Sequence, residues 1–141
     1  MRRRDRFSTF EHTADIGLEA WGLTLADALT SAGLGLQSLI VTGGQIRETE
    51  CHTLDVRAKD SEALVVAWLN ELLFALDVHG TVFARFEVET IDNVALHAIG
   101  YGEQLDTARH QLGTAVKAAT FHELSVAEQD GHTQIRVILD V

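Results

Sequence analysis

Thr133-Gln134-Ile135-Arg136-Val137-Ile138-Leu139-Asp140-Val141 are the last nine of 141 residues. Ile135, Val137 and Leu139 fall on one side of an extended chain, and Gln134, Arg136, Ile138 and Asp140 on the other. That period of two marks a strand with one buried face. Asp130-Gly131 just before it is a two-residue turn of the type that tolerates positive φ, so the run Val116 to Ala127 is expected to fold back against it. A second hairpin is expected from Val82 to Ile91 and Val94 to Tyr101 around Asp92-Asn93. Leu54 to Ala58 is a further extended piece. Phe7 to Glu11 forms a short strand that enters the segment His12-Thr13-Ala14-Asp15-Ile16-Gly17, after which Leu18, Ala20 and Gly22 keep an alternating pattern through Trp21.

Two segments between these strands switch to helical spacing. Thr24 is a candidate N-cap with Asp27 three residues on, and Leu25, Ala28, Leu29, Ala32, Leu36, Leu39 and Ile40 recur on one face. Gly33 and Gly35 weaken that helix intrinsically, so packing must sustain it; Gly43-Gly44 is its expected end. Asp60 or Ser61 caps a clearer helix, in which Val65, Trp68, Leu69, Leu72, Leu73 and Leu76 make an apolar stripe and His79-Gly80 supplies the stop. Two helices cannot cover both faces of so many strands. The expected fold is α+β: two layers, with mostly antiparallel or mixed sheet and two main helices.

Hydrophobic residues make up 46% of the chain and charged residues 23%, which places it among globular proteins. We expect a basic, flexible tip over residues 1–6 and one domain over 7–141. Cys51 is the only cysteine, which excludes an intramolecular disulfide and a thiolate-rich zinc site and fits a reducing, cytoplasmic setting. Its surroundings carry no activating signature, so a free, buried thiol is expected. Met1-Arg2-Arg3-Arg4-Asp5-Arg6 is basic, but neither an apolar signal-peptide core nor a membrane-length apolar run follows. The net charge is −10, and from Phe7 onward 7 basic residues face 20 acidic ones. Such a body repels phosphate, so any link to RNA is expected through a partner or a metal.

Asp15 lies just past the first strand and Asp140 at the end of the last one. If those ends meet, their carboxylates and an oxygen of Val141 form an anionic pocket suited to a hard divalent cation, and Lys117 is a candidate to compensate the charge. On residue chemistry alone, a turn cap at Asp15 and a solvated strand end at Asp140 explain the pair equally well. Seven histidines invite a zinc reading, yet none pairs at i, i+3 or i+4 on an expected helix. His12, His110 and His122 bracket one polar region and are kept as site-adjacent candidates; His52, His79, His97 and His132 are assigned to the surface. Glu103-Gln104-Leu105-Asp106 with His110 is expected to form a polar loop. Walker, dinucleotide-binding and nucleophile-elbow motifs are all missing, so nucleotide chemistry is expected to reside in another protein.

Taken in order, Glu11-His12-Thr13-Ala14-Asp15-Ile16-Gly17, Glu62-Ala63-Leu64, Trp68-Leu69-Asn70-Glu71-Leu72-Leu73-Phe74, Tyr101-Gly102-Glu103, Val116-Lys117-Ala118-Ala119-Thr120-Phe121-His122 and Val137-Ile138-Leu139-Asp140-Val141 resemble the archease family nearly end to end. Two positions depart from its pattern: Thr133 stands where an aromatic, usually tryptophan, is expected, and Phe121 where tyrosine is common. The resemblance implies a small accessory protein of the RtcB-type RNA ligase. That GTP- and metal-dependent enzyme joins RNA 3′-phosphate or 2′,3′-cyclic phosphate ends to 5′-hydroxyl ends in tRNA splicing and RNA repair. It further implies that this chain promotes guanylylation and multiple turnover without being an enzyme itself. Asp15, Asp140 and Val141 would be metal ligands, for Ca²⁺ first and Mg²⁺ or Mn²⁺ as alternatives. His12, Glu103, Lys117, His110 and His122 would be neighbours or partner contacts. RNA would be reached only through the ligase, with no membrane contact. A chaperone-like module for other RNA-modifying enzymes is the alternative, and a small metal-dependent hydrolase a more distant one.

Overall fold

The computed structural model describes residues 6–12 and 15–141 of the chain. The expected basic tip therefore lies outside the described residues except for Arg6, as do Thr13, Ala14 and the side chain of His12. In chain order the elements are β1 (Phe7–His12), β2 (Asp15–Gly22), α1 (Leu25–Ile40), β3 (Val41–Gly43), β4 (Glu50–Arg57), α2 (Ser61–His79), β5 (Thr81–Ile91), β6 (Ala95–Gln104), β7 (Gln111–Leu112), β8 (Ala118–Ala119), β9 (Ser125–Gln129) and β10 (His132–Asp140). Among the described residues every strand pairing is antiparallel. One sheet runs β1-β2-β10-β8, with β9 also on β10; a second runs β4-β6-β5; β3 and β7 form a small ribbon. Mostly antiparallel open sheets with two helices are the α+β arrangement expected.

Local chemistry places both helices. The Thr24 hydroxyl accepts from Asp27 N at 3.2 Å, and an Asp60 carboxylate oxygen from Ala63 N at 2.8 Å. Gly80 ends α2 at φ +68°, where its N–H reaches the carbonyls of Ala75 and Leu76. One core joins both sheets: Leu18 and Ala20 of β2, Ile135, Val137 and Leu139 of β10, and Val82, Phe83 and Phe86 of β5 close around Leu29, Ala32 and Leu36 of α1 and Trp68, Leu69 and Leu72 of α2. Trp68 is fully buried, donates its indole N–H to Leu29 O at 2.8 Å and meets Phe86 edge to face at 5.1 Å. A Cβ on Gly33 would stand 2.9 Å from Phe86 and 3.2 Å from Trp68. The glycine that weakens α1 is thus what lets it approach α2 and β5.

Several boundaries differ from the expected ones. α1 stops at Ile40 rather than at Gly43-Gly44, because Val41 and Gly43 turn extended to pair with Leu112 and Gln111. β4 begins at Glu50, four residues before Leu54, since β6 reaches down to pair Glu50 with Gly102. β6 runs on through Gly102, Glu103 and Gln104, so Glu103 is a strand residue rather than part of a polar loop. The β5–β6 turn takes in Val94 as well as Asp92 and Asn93, closed by the Asp92 carboxylate accepting from Val94 N and Ala95 N, each at 2.8 Å. The expected strand from Val116 to Ala127 does pair with β10, but in two pieces. Thr120 N still reaches Ile138 O at 3.0 Å, then Glu123 adopts φ +52° and the chain leaves the ladder until Ser125. Asp130 and Gly131, at φ +50° and +77°, make the expected turn. Cys51 is free but exposed: on edge strand β4 the side chains alternate, and only Leu54 and Val56 are buried.

Trp68→Ala is expected to cost about 3–5 kcal/mol, read as a lowered urea midpoint with a two-state slope. Leu23→Ala, at a position 69% exposed, should stay within about 0.5 kcal/mol of the parent protein.

Candidate functional site

β1 and β2 form a hairpin, with His12 opposite Asp15 across the ladder. Asp15 thus opens the second strand instead of trailing the first. β10 lies on the other side of β2, with Leu139 opposite Ile16, so Asp140 takes the next position alongside Asp15. On its far side Asp140 pairs with Ala118, and its carbonyl accepts from Lys117 N at 2.8 Å. His12, Asp15, Asp140 and Ala118 therefore form one row across four strands at the end of the sheet, with Lys117 and Val141 flanking it. Opposed residues in an antiparallel ladder project to the same face, so the Asp15 and Asp140 side chains share the face turned away from α1, since Leu18, Ala20, Ile135, Val137 and Leu139 fill the other.

One row further in, Gly17 lies opposite both Phe10 and Ile138. A Cβ on Gly17 would stand 1.9 Å from the tip of the Phe10 ring, so only glycine lets that ring lie flat on the sheet. The Arg136 guanidinium stacks 4.0 Å above the Phe10 centroid and lies 3.6 Å from Glu19. The acidic row thus borders a half-covered platform whose cation is already engaged.

Asp15, Asp140 and Val141 are half-buried and Lys117 is exposed. Among the described residues, no side chain bonds to either carboxylate and no ion pair links them to Lys117. Nor do three His, Cys, Asp or Glu side chains converge there on one metal-sized point. Two adjacent uncompensated carboxylates and main-chain oxygen are hard donors. They fit a divalent ion that keeps much of its water shell, and lack the nitrogen and sulfur donors of a zinc cage.

The other candidates lie elsewhere. Glu103 is on β6 in the second sheet and only 6% exposed. Its carboxylate accepts from Arg47 N at 2.7 Å, from the Arg109 guanidinium, and from Nε2 of the buried His110 at 3.0 Å. His110 Nδ1 in turn faces Asp106 N at 2.9 Å, so the chain from Leu105 to His110 is tied to β6 by its own side chains. Donation from the Arg47 N–H, with the Arg109 and His110 bonds, outweighs burial and holds the Glu103 carboxyl at about 2. His122 is exposed in the break between β8 and β9, 3.1 Å from Glu123. His97, assigned to the surface, bridges three strands: its ring nitrogens bond Asp55 on β4 and Glu89 on β5, and the Asp55 bond raises its pKa. The sequence sign of the Glu103 cluster is the grouping of Glu103-Gln104-Leu105-Asp106 with His110, which the structure ties together through Glu103 and His110.

The Archease protein family matches residues 7–141. This chain belongs to the archease family. It is 34% identical over 140 residues to the archease of Pyrococcus abyssi, covering 96% of this chain and 99% of that one. The archease of Thermococcus gammatolerans is 35% identical over the same length and shares. The solution structure of protein 1598 from Methanobacterium thermoautotrophicum superposes with a TM-score of 0.83 at 30% identity, over 98% of this archease and 100% of that protein. The crystal structure of an archease, "possible chaperone", from Thermotoga maritima shares the fold with a TM-score of 0.63 at 20% identity. Among the described residues, no helix is long and apolar enough to cross a membrane.

The Glu103 carboxylate carries a pH signature. Its pKa is depressed from the ordinary 4.5 to about 2, so its contribution is complete above about pH 4.5 and is lost as pH falls toward 2. Urea midpoints measured down this range should fall more steeply for the parent protein than for Glu103→Gln, which should already be about 3 kcal/mol less stable at pH 7.

Proposed function

We propose that this archease is a non-catalytic accessory protein of an RtcB-type RNA ligase in the cytoplasm, promoting the ligase's guanylylation and multiple turnover during tRNA splicing and RNA repair. The observation that carries this reading is the row in which the β2–β10 register sets Asp15 beside Asp140. An anionic tip on an acidic, non-basic body is built to meet metal-bearing protein surface rather than RNA directly. Asp15, Asp140 and a main-chain oxygen of Val141 would hold a divalent ion, Ca²⁺ first and Mg²⁺ or Mn²⁺ next. Such an ion supplies charge neutralisation and orientation at a phosphate. Lys117, exposed beside the row, and His12, opposite Asp15, would tune how the tip is presented, and His122 would touch the partner. Glu103 and His110, bonded to each other in the second sheet, would hold the shape of the neighbouring loop.

A chaperone-like role toward other RNA-modifying enzymes is the second reading, in keeping with the Thermotoga maritima archease being described as a possible chaperone. Multiple-turnover ligation and guanylylation by a cognate ligase, with this protein at substoichiometric amounts, separate the two. Asp15→Ala and Asp140→Ala should each lower stimulation by about tenfold or more, with folding stability changed by less than about 0.5 kcal/mol. Full stimulation by both variants would remove the tip from the mechanism. General protection of unrelated enzymes by parent and variants alike would support the chaperone reading.

A further inference from the structure

A cavity of about 470 Å³ lies between the start of α1 and the β9–β10 hairpin, lined by Leu23, Thr24, Leu25, Glu128, Asp130 and Thr133 among others. It sits at the opposite end of β10 from Asp140, about 23 Å away along the strand at its ordinary rise.

Three features give it a chemistry. Thr133 is only 4% exposed, and its alternation with Ile135 and Val137 turns its side chain toward α1. Among the described residues its hydroxyl has no hydrogen-bond partner, a rare condition for a buried polar group. At the start of α1, Thr24 provides acceptors for Asp27 N and Ala28 N, which leaves the N–H groups of Leu25 and Ala26 without intrahelical acceptors. The rim carries the exposed carboxylates of Glu128 and Asp130 and no lysine or arginine, and beside it Leu23 is 69% exposed.

We propose that this groove docks a basic segment of a partner protein. A peptide carbonyl of that segment accepts from the first-turn N–H groups of α1. An adjacent Lys or Arg lays its aliphatic stem over Leu23 and Leu25 and sets its charged head on Glu128 and Asp130. The Thr133 hydroxyl supplies the remaining hydrogen bond at the floor. A free anion would satisfy the helix end but meet the two rim carboxylates, so charge complementarity selects the basic segment. The inference rests on the reading that this archease works by binding another protein, but it uses none of the residues of the acidic tip.

The test is an amide NMR titration of the full chain with the peptide Ac-Lys-Leu-Arg-NH₂, against Ac-Glu-Leu-Glu-NH₂ and inorganic phosphate; no ligase is present, so its outcome is independent of the ligation assay. The basic peptide should shift Leu25, Ala26, His132 and Thr133 saturably and bind at least about tenfold tighter than the acidic one. Glu128→Gln with Asp130→Asn should weaken it by about threefold or more. Thr133→Trp, which fills the cavity, should abolish the response; should that variant misfold, Thr133→Val, which removes the hydroxyl at nearly constant volume, should weaken it instead. No saturable response at these residues, equal binding of the acidic peptide or phosphate, or indifference to the rim and Thr133 variants would overturn the proposal.

Discussion

The pairing of β10 with β2 is the constraint on which the rest depends. Its register sets Ile135 against Ala20, Val137 against Leu18 and Leu139 against Ile16, and this gives α1 an apolar floor. A slip of β10 by one residue would turn Ile135, Val137 and Leu139 to solvent and bury Arg136 in their place, so the core enforces the register. The same register delivers Asp140 to Asp15. The acidic tip is a by-product of core packing, and among the described residues its two carboxylates are held on paired strands without side-chain bonds of their own.

The second sheet shows the opposite use of a carboxylate. Glu103 is buried and takes donors from a backbone N–H, a guanidinium and an imidazole, so its charge is spent inside the fold. Asp15 and Asp140 are half-buried and unpaired among the described residues, so theirs remains available to a ligand. Environment, rather than residue type, divides structural carboxylates from those that can act outward.

Much of this was legible in the chain because it is encoded locally. Thr24, Asp60 and Gly80 cap their helices through side-chain chemistry and backbone freedom, and Asp130-Gly131 forces a tight hairpin. Asp15 and Asp140 were legible as strand ends that could meet. What was not legible depends on distant partners. Val41 leaves the helix only because Leu112 is there to pair with it. Glu50 enters β4 only because β6 extends past Tyr101. The break after Thr120 is made by Glu123 in a left-handed conformation that neither glycine nor asparagine announces. Glu103 looked like loop because an isolated carboxylate is ordinarily exposed; the donors that make its burial tolerable come from two separate stretches, Arg47 before β4 and Arg109-His110 after β6.

We propose that Asp15 and Asp140 act together as one divalent-cation site at the end of the sheet, and the functional reading stands on that pair. A Ca²⁺ titration followed by amide NMR tests it directly. Saturable shifts confined to Asp15, Ile16, Lys117, Leu139, Asp140 and Val141, weakened alike by Asp15→Asn and by Asp140→Asn, are the expected result. Shifts centred on the Glu103 and His110 loop, or a response indifferent to either substitution, would contradict the account.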